Sequence, residues 1–455
     1  MKKTVKKELK KAELTSIKEG AAFGVMEGAG LRFAVPYALA LNASNFIIAL
    51  LATLPGLLGT ISQLFTLKVM KKYSRKRIVF LSIFCEAMLW IPILLLGVFF
   101  LYFHNGNFDF YFLILFCLLT MIGAIASPAW NSWMRDLILS DNGHYFGKRN
   151  MIVNFVIIVS MFVASLILML FPNDRLFFGF FIIFTIAFIG RLLSAYFITK
   201  QYEPKFVYNP SSYFSLRQFV RKMVFNNFGR FVLFISLISL ATSVAGAFFG
   251  VYMLTTLKFS YLQFTLVTIA SVITTILFLP TWGSFADRVG NIKVMRITGL
   301  FIPLIPLLWI ISSFVNGIWI VTVYLICVEF FSGFIWSGFN LAAGTFIYDA
   351  TTKEKMAFCV AYFNIINAFG AFVGAIIGGL MATHNIAFFG FDALLFIFFV
   401  SAILRFVIVF GLSGFLREVR AVEDFKLTAS IKENIRGAKI SIEKFIGFKP
   451  VHSSN

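Results

Sequence analysis

The strongest constraint on the fold of this chain is a series of about twelve apolar stretches, each long enough to cross a lipid bilayer. A hydrocarbon core of roughly 30 Å takes about 20 residues of α-helix. Stretches of this kind fold as helices, because a backbone in lipid must satisfy its polar groups internally. The predicted spans are 20–41, 45–67, 78–103, 109–134, 149–171, 176–198, 229–254, 262–284, 292–314, 318–347, 354–382 and 390–415.

The composition agrees with this interpretation. Apolar residues make up 60% of the 455 residues and charged residues 13%, which lies far from the composition of soluble globular domains. We therefore predict an all-α membrane protein.

The two halves of the chain carry matching residues at a nearly constant separation of 213 to 216 positions. The pairs are Arg191/Arg405, Asp136/Asp349, Asn150/Asn364, Pro92/Pro306, Val35/Val251 and Leu41/Leu257. Many secondary transporters are built from long repeats in an apolar chain. We predict two pseudo-symmetric bundles of six helices, residues 20–198 and 229–415, joined by a cytoplasmic linker at 199–228.

Lysine and arginine residues orient the predicted spans, because basic residues in short loops stay on the cytoplasmic side. Alternate loops, the linker, the N-terminal segment 1–19 and the tail 416–455 are basic, whereas the other side has only Arg175 and Lys258. Both termini are therefore predicted to be cytoplasmic, in a multi-pass protein of the plasma (inner) membrane. The formal charge of +20 then favours attraction to anionic membrane lipids over binding of nucleic acid. The tail has two interpretations, an amphipathic surface helix or a disordered segment.

No cofactor or metal site is predicted. The four cysteines fall inside apolar spans, and the four histidines lie in separate loops or in the tail without the spacing of metal ligands. Gly143–Lys148 only vaguely resembles a phosphate-binding loop, because Arg149 stands where Ser or Thr should bind magnesium. Direct use of ATP is therefore not expected.

The loop after the eighth span reads Gly283-Ser-Phe-Ala-Asp287-Arg288-Val-Gly290-Asn-Ile-Lys293. It is similar to the cytoplasmic signature G-x-x-x-D-R-x-G-x-x-K of the major facilitator superfamily. Further segments resemble a prokaryotic branch of that superfamily: Ser127–Asp136, Tyr145–Asn150, Gly190–Ser194, Tyr202–Pro204, Phe346–Asp349 and Ala361–Asn364. The resemblance covers most of residues 20–415. It implies two six-helix bundles around a cavity lined by the first, fourth, seventh and tenth spans, with alternating access by rocking.

The resemblance also implies gating or structural roles for Gly283, Asp287, Arg288 and Gly290. In the superfamily the aspartate of this signature holds a helix end and a partner arginine in the outward-facing state. The first half departs from the pattern, because Leu67, Lys71 and Ser74 stand at the positions that match the glycines and the aspartate. The second-half copy is therefore expected to carry the lock.

Six charged residues lie deep inside the predicted spans, away from their ends, and each costs about 2.5–3.5 kcal/mol at the helix centre. They are Glu27, Arg32, Glu86, Arg191, Glu329 and Arg405. The two arginines at 191 and 405 match across the halves, as do Asp136 and Asp349, so we interpret these four residues as architectural. Each arginine is predicted to hold the cytoplasmic end of its own bundle through the aspartate of that bundle.

The other four ionisable residues have no charged counterpart, since the matching positions are Ser243, Phe248, Leu300 and Leu115. Glu27 and Arg32 lie five residues apart, about 140° around a helix, and are predicted to be poorly placed to neutralise one another. Glu27 and Glu329 lie on spans that line the cavity in the superfamily, so either carboxyl group could couple transport to protons. The alternative is a buried structural ion pair, which is our interpretation of Glu86.

Aromatic and amide side chains complete the candidate site, because stacking faces beside amide groups suit a small organic ligand. The candidates are Trp130, Asn131 and Trp133 on the fourth span, Trp336 and Asn340 on the tenth, and Asn364 and Asn367 on the eleventh. The alternative is that the aromatic residues pack in the protein, face lipid or anchor the membrane surface. The glycines at 370, 374, 378 and 379 are expected to allow close helix packing.

The sequence therefore predicts a monomeric secondary transporter or facilitator of a small organic solute, with protons as the candidate coupling ion, and no enzyme activity. Two alternatives stay open. One is a transporter-like sensor or scaffold that acts through its basic tails, and the other is an exporter of lipids or lipophilic compounds.

Overall fold

The computed structural model describes residues 3–70, 72–103, 106–137, 142–172, 175–204, 216–351, 356–386 and 392–420. Within these ranges eleven helical segments are long and apolar enough to cross a membrane. A further segment begins as the helix Lys3–Ala29, breaks at Gly30 and continues through the 3₁₀ turn Leu31–Phe33 and the helix Ala34–Ala40. The prediction of an all-α membrane protein with about twelve spans is confirmed. Lys71 and the tail beyond residue 420 lie outside the described residues.

Six spans belong to each half. Span 1 is the broken segment, and spans 2 to 6 are Asn45–Val69, Arg75–Tyr102, Phe108–Leu137, Asn142–Leu170 and Leu176–Lys200. Span 7 comprises Asn227–Gly246, Phe248–Val251 and the π-helical turn Tyr252–Thr256, and span 8 is Tyr261–Val289. Span 9 comprises Asn291–Phe301 and Leu304–Ile311, and spans 10 to 12 are Ile318–Asp349, Met356–Thr383 and Ala393–Leu412. A short helix, Leu216–Lys222, precedes span 7.

Local sequence sets several helix ends. Ser74 precedes span 3, and its Oγ accepts a hydrogen bond from the backbone N–H of Arg77 at 3.2 Å. Ser260 and Gln263 form a reciprocal capping box at the start of span 8. Gly290 has a φ of +91°, a conformation that glycine adopts without steric cost, and it lets span 8 turn directly into span 9.

Corresponding helix pairs pack against each other in the two halves. In the first half, span 1 packs on spans 5 and 6, span 3 packs on spans 4 and 6, and span 2 packs on span 4. In the second half, span 7 packs on spans 11 and 12, span 9 packs on spans 10 and 12, and span 8 packs on span 10. The sequence repeat is therefore also a repeat of helix packing.

The two halves join at one end of the molecule and have separate cores at the other. We call the end at which span 1 begins and span 12 ends the terminus face, and the other end the opposite face. Near the opposite face, one apolar core draws residues from both halves, among them Tyr37, Phe180 and Phe248, and Asn45 Nδ2 donates to the main-chain oxygen of Ala382 at 3.4 Å. Near the terminus face each half has its own core. The space between the halves therefore opens toward the terminus face.

Glycine allows span 11 to lie close to span 7. A Cβ atom added at Gly370, Gly374 or Gly378 would lie 2.3, 2.0 or 2.0 Å from a main-chain oxygen of span 7, which is too close for any other residue. The predicted role in helix packing is therefore confirmed. Gly379 faces Phe46 and Ala49 on span 2, so it permits close contact between the halves.

Candidate functional site

A cavity of about 210 Å³ lies between spans 7, 10 and 11, in the part of the second half that is nearer to the terminus face. Three aromatic rings and three hydrogen-bonding side chains line it: Trp336, Phe339, Phe363, Ser239, Asn340 and Asn367. No lining residue is charged. The cavity is therefore suited to an uncharged part of a ligand, because an unpaired charge would be costly there.

Hydrogen bonding orients one of the two amide groups. Ser239 Oγ donates to Asn367 Oδ1 at 2.5 Å, which leaves the NH₂ group of that amide as a donor. The rings of Trp336 and Phe339 meet edge to face, with 5.6 Å between their centroids. The cavity therefore places flat apolar surfaces beside hydrogen-bond donors and acceptors.

Three of the residues proposed from the sequence, Trp336, Asn340 and Asn367, come together in this cavity. Asn364 is partly buried on span 11 and does not line it. Sequence reasoning missed Ser239 and Phe363, which also line the cavity. Neither residue type carries a functional signal by itself in a chain with 60 phenylalanines.

In the first half, charged side chains fill the corresponding place. Arg149 on span 5 lies 214 positions before Phe363. Its Nη2 donates to Glu19 Oε2 at 3.0 Å, and its guanidinium carbon lies 4.3 Å from the ring centroid of Trp130. Glu19 lies 216 positions before Ile235, which also lines the cavity. The cavity therefore lies where the second half lacks the charged contacts of the first.

The candidates on span 4 make contacts within the first half. Trp133 is fully buried, and its Nε1 donates to the main-chain oxygen of Tyr202 at 2.9 Å. Asn131 is exposed, and its Nδ2 donates to Ser127 Oγ at 3.4 Å. Trp130 stacks on Arg149. In this conformation all three candidate residues of span 4 therefore make contacts within the first half, as packing residues do.

Glu27 and Arg32 form an ion pair, with 2.6 Å between Oε1 and Nη2, so the prediction that they are poorly placed to neutralise one another is wrong. That prediction assumed a continuous helix, whereas span 1 breaks at Gly30 and turns through Leu31–Phe33. The two side chains are 20% and 40% exposed, respectively. A charged pair is costly in contact with lipid, so this exposure favours a place beside the open space between the halves.

Arg191 binds Glu86, so the predicted pairing of Arg191 with Asp136 is wrong. Arg191 Nε donates to Glu86 Oε2 at 2.8 Å, Nη2 donates to the same oxygen, and both side chains are buried. Asp136 instead accepts from Arg75 Nη1 at 2.5 Å. The two residues do not meet because they lie at different depths along their helices. Arg191 lies nine residues before the end of span 6 at Lys200, about 14 Å along a helix. Asp136 lies next to the end of span 4.

The arginine of the second half, Arg405, likewise has partners other than the predicted one. Arg405 donates to the main-chain oxygens of Ile302 at 3.3 Å and Thr242 at 3.5 Å, so its predicted pairing with Asp349 is also wrong. Asp349 accepts from Arg420 Nε at 2.7 Å and from the Nδ2 of Asn291, also at 2.7 Å.

The residues that follow the last span of each half hold corresponding helix starts at the terminus face. Glu203 accepts from the backbone N–H of Lys76 at 3.1 Å, and Glu418 accepts from the backbone N–H of Ile292 at 2.8 Å. Each carboxylate thereby satisfies a donor at a helix N-terminus, where negative charge is favourable. These two joints connect span 3 to the end of span 6, and span 9 to the end of span 12.

The signature loop takes part in the joint of the second half. Asp287 Oδ1 accepts from Arg420 Nη1 at 3.1 Å, and Gly290 lies against the carboxylate of Glu418. Arg288 is exposed, and Gly283 has only Leu341 near its Cβ position. In this conformation the aspartate contacts an arginine of the segment after span 12, which sequence reasoning had treated as a basic tail, and the gating roles stay predictions.

Comparisons with known proteins agree with this architecture. The family model described as Major Facilitator Superfamily matches residues 231–441. No protein of curated function matches the sequence significantly.

Solved structures of transporters share the fold over nearly the whole chain. A variant of the nucleoside transporter NupG superposes with a TM-score of 0.70 at 15% identity, covering 89% of this chain and 100% of that one. A bacterial homologue of the iron transporter ferroportin, in its inward-facing state, gives 0.63 at 12% identity and covers 89% and 99%. A bacterial homologue of the human lysosomal transporter Spinster, inward-facing and occupied, gives 0.60 at 12% identity and covers 90% and 97%.

The family match covers the second half, and the fold match extends over both halves with their repeated packing. The chain is a multi-pass membrane protein whose second half matches the Major Facilitator Superfamily model and whose fold is that of the solved transporters.

Proposed function

We propose that this protein is a secondary transporter that carries a small, uncharged organic solute across the plasma membrane, and that the solute binds in the cavity of the second half. The observation that carries this proposal is the break in the repeat. The cavity of about 210 Å³ stands where the first half is filled by Glu19, Arg149 and Trp130. Ligand sites are concave, largely apolar and furnished with a few polar groups, which describes this cavity.

The orientation follows from the charge distribution. The loops on the terminus face carry the great majority of the lysines and arginines, so this face is cytoplasmic by the positive-inside rule. Because the space between the halves opens toward the terminus face, the present conformation faces inward. Alternating access then requires the joint between the halves at the opposite face to open while the terminus face closes.

The cavity lining narrows the substrate class. Rings and amide groups without charge suit a neutral molecule that has a flat face and hydrogen-bonding edges. Such a molecule could be a nucleobase or a nucleoside, and the fold is shared with the nucleoside transporter NupG. The amide of Asn340 and the NH₂ group of Asn367 would gain no hydrogen bond from a purely apolar lipid chain, which weighs against the lipid exporter. Protons remain the candidate coupling ion, with Glu27 and Glu329 as the candidate carriers.

Ligand-dependent thermal stability of the purified protein tests this proposal. Nucleosides, nucleobases, neutral sugars, amino acids, organic acids and lipophilic cations would be compared at acidic and alkaline pH. A ligand present at 100 times its dissociation constant adds about 2.7 kcal/mol to the stability of the folded state. We expect uncharged ring compounds to raise the melting temperature and charged ones to have little effect.

A filled cavity provides the matched control. Gly344 lines the cavity, and a Cβ atom added there meets nothing within 4 Å, so Gly344→Leu should occupy the cavity without disturbing the helices. Gly411 on span 12 is equally open but lies outside the cavity, so Gly411→Leu should respond as the wild type does. If Gly344→Leu kept the full ligand response, the site would lie elsewhere. A ligand that binds but is never accumulated against its gradient in vesicles would favour the sensor.

A further inference from the structure

A short turn in front of span 7 gives the second half a feature that the first half lacks. In the first half the chain enters span 1 as one continuous helix, Lys3–Ala29. In the second half the helix Leu216–Lys222 is followed by the 3₁₀ turn Met223–Phe225, and span 7 begins only after it. We call residues 216–226 the linker turn. Because the first half folds without such a turn, the packing of the spans does not by itself explain it.

The linker turn is fixed to the starts of spans 7 and 11. Phe219 is buried, and its ring centroid lies 6.0 Å from that of Phe228 on span 7 and 5.7 Å from that of Tyr362 on span 11. Asn226 closes the turn, because its Nδ2 donates to the main-chain oxygen of Lys222 at 2.7 Å and its Oδ1 caps span 7. The outer side of the turn is therefore presented on a well-held backbone.

Three apolar side chains on the outer side of the linker turn are exposed. Val220 is 47% exposed, Val224 is 57% exposed and Phe225 is 83% exposed. Phe225 lies two residues before Asn227, the first residue of span 7, so it is close to the level at which the membrane begins. Apolar side chains at this level are stabilised by entering the boundary between lipid headgroups and acyl chains.

Cations accompany these apolar side chains in the same segment. They are Arg217, Arg221, Lys222 and Arg230. Arg217 and Arg221 are neighbours on the helix surface, because they lie four residues apart. Arg230 Nε donates to the main-chain oxygen of Val224 at 2.9 Å, which brings its guanidinium group onto the turn and leaves the other nitrogens of that group as donors. Positive charge and apolar surface therefore occur side by side.

The chain itself supplies no acidic partner close to these cations. The sequence has no aspartate or glutamate between Glu203 and Asp287. Within the described residues, none of the four cations takes part in an ion pair. Their charge is therefore available to an anion from outside the protein. Anionic phospholipids offer such a charge at the membrane surface, directly beside their apolar chains.

We propose that the linker turn is a binding site for anionic phospholipids of the cytoplasmic leaflet. The cations contact the phosphate group, and Val224 and Phe225 lie between the headgroups and the acyl chains. A soluble phosphate compound would use only the charges and would leave the apolar side chains in water. Because Phe219 packs on Tyr362, next to the cavity residue Phe363, a bound lipid also holds the start of span 11. The lipid site does not depend on the identity of the solute.

Thermal unfolding of the purified protein in an uncharged detergent tests this proposal. We expect phosphatidylglycerol to raise the melting temperature of the wild type and phosphatidylcholine to leave it unchanged. Arg221→Gln/Lys222→Gln should require about fivefold more phosphatidylglycerol for each cation removed. The matched control Lys72→Gln/Arg77→Gln, at exposed positions between spans 2 and 3, should respond as the wild type does.

Two outcomes of this comparison would overturn the proposal. An equal loss of response in both double variants would show a general attraction of the terminus face for anionic lipid and no site at the linker turn. A wild type that does not respond to phosphatidylglycerol would rule out the lipid, and the exposed cations would then fit an acidic protein partner better.

A second variant tests the apolar contact. Phe225 is exposed, so Phe225→Gln should unfold like the wild type without lipid and respond less to phosphatidylglycerol. Phe314→Gln, in an exposed 3₁₀ turn of the opposite face, should keep the full response. A full response of Phe225→Gln, or equal stabilisation by glycerol 3-phosphate or inorganic phosphate, would assign the cations to a soluble anion. Because no solute is present, these results and those of Gly344→Leu stand or fall separately.

Discussion

The two halves build the same helix crossing with the small residues on opposite partners. Where span 1 packs on span 5, the glycines lie on span 1, at positions 20, 24 and 28. Where span 7 packs on span 11, they lie on span 11, at positions 370, 374 and 378. The repeat therefore keeps the distance between the helices and not the helix that supplies the glycine. The side chains beside the crossing can therefore differ between the two halves.

The interiors of the two halves differ accordingly. In the first half a buried series of polar contacts continues from Glu86 through Arg191 and Ser194 to Glu19 and Arg149, and joins spans 3, 6, 1 and 5. In the second half the corresponding region holds the cavity and the incompletely satisfied Arg405. We therefore expect the cross-linked first half to be the more rigid of the two.

Of the paired changes, removal of Arg191 or of Arg405 should give the largest difference in stability loss between the two halves. Arg191→Leu leaves the buried carboxylate of Glu86 without its partner, and breaking a buried pair in this way costs about 3–5 kcal/mol. Arg405→Leu removes a charge that has only carbonyl acceptors, so its cost should be much smaller. Unfolding of the two purified variants in mild detergent would measure the difference. Equal losses would contradict the contrast between the halves, and the double variant Glu86→Leu/Arg191→Leu should recover most of the first loss.

Replacement of the middle glycine of each row by alanine should also destabilise the two halves unequally, by a smaller difference. In Gly374→Ala the new Cβ would lie 2.0 Å from the carbonyl oxygen of Leu240, whereas in Gly24→Ala it would lie 3.0 Å from that of Val153. Backbone cannot give way as a side chain can, and overpacking of this kind costs about 1–3 kcal/mol. We expect Gly374→Ala to lower the melting temperature clearly more than Gly24→Ala. Gly411→Ala, in open space, serves as the control, and a loss there would show that glycine matters for another reason.

Changes at the joints of the terminus face should cause the smallest loss of stability. In the first half Asp136 is held by Arg75, whose side chain is 0% exposed, but in the second half Arg420 is 34% exposed and bridges Asp349 and Asp287. The hydrogen bond to Asp349 raises the pKa of Arg420, so this cation stays charged throughout the pH range of the experiments. Arg420→Gln should cost about 0.2–1 kcal/mol, and the loss should shrink at high salt. Arg288→Gln, at a neighbouring exposed position, should change nothing.

Much of the fold could be predicted from the sequence, because hydropathy and a constant offset depend only on the order of residues. Trp336, Asn340 and Asn367 were predicted from residue type, because stacking faces beside amide groups suit a small organic ligand. The partners of the charged residues could not be predicted in this way. An offset pairs positions across halves but gives no depth in the membrane, which is why Arg191 was matched to Asp136 and not to Glu86.

Two further misses have local physical causes. The ion pair of Glu27 with Arg32 depends on the break at Gly30, and a glycine within a helical pattern does not by itself predict a break. Arg75 was taken for one of many basic residues that orient the chain, although it is fully buried on Asp136 and the main-chain oxygen of Ser132. A basic residue at the first position of a span, matched by an acidic residue at the end of another, was the available signal.

The short segment after span 12 sets a practical limit on how the protein can be shortened. The carbonyl and N–H of Arg417 bond the side chain of Asn227, Glu418 caps span 9 and Arg420 neutralises Asp349. A truncation or a cleavage site placed directly after Phe415 would therefore expose three helix ends at once. An affinity tag or a fluorescent fusion should therefore leave residues 416–420 intact.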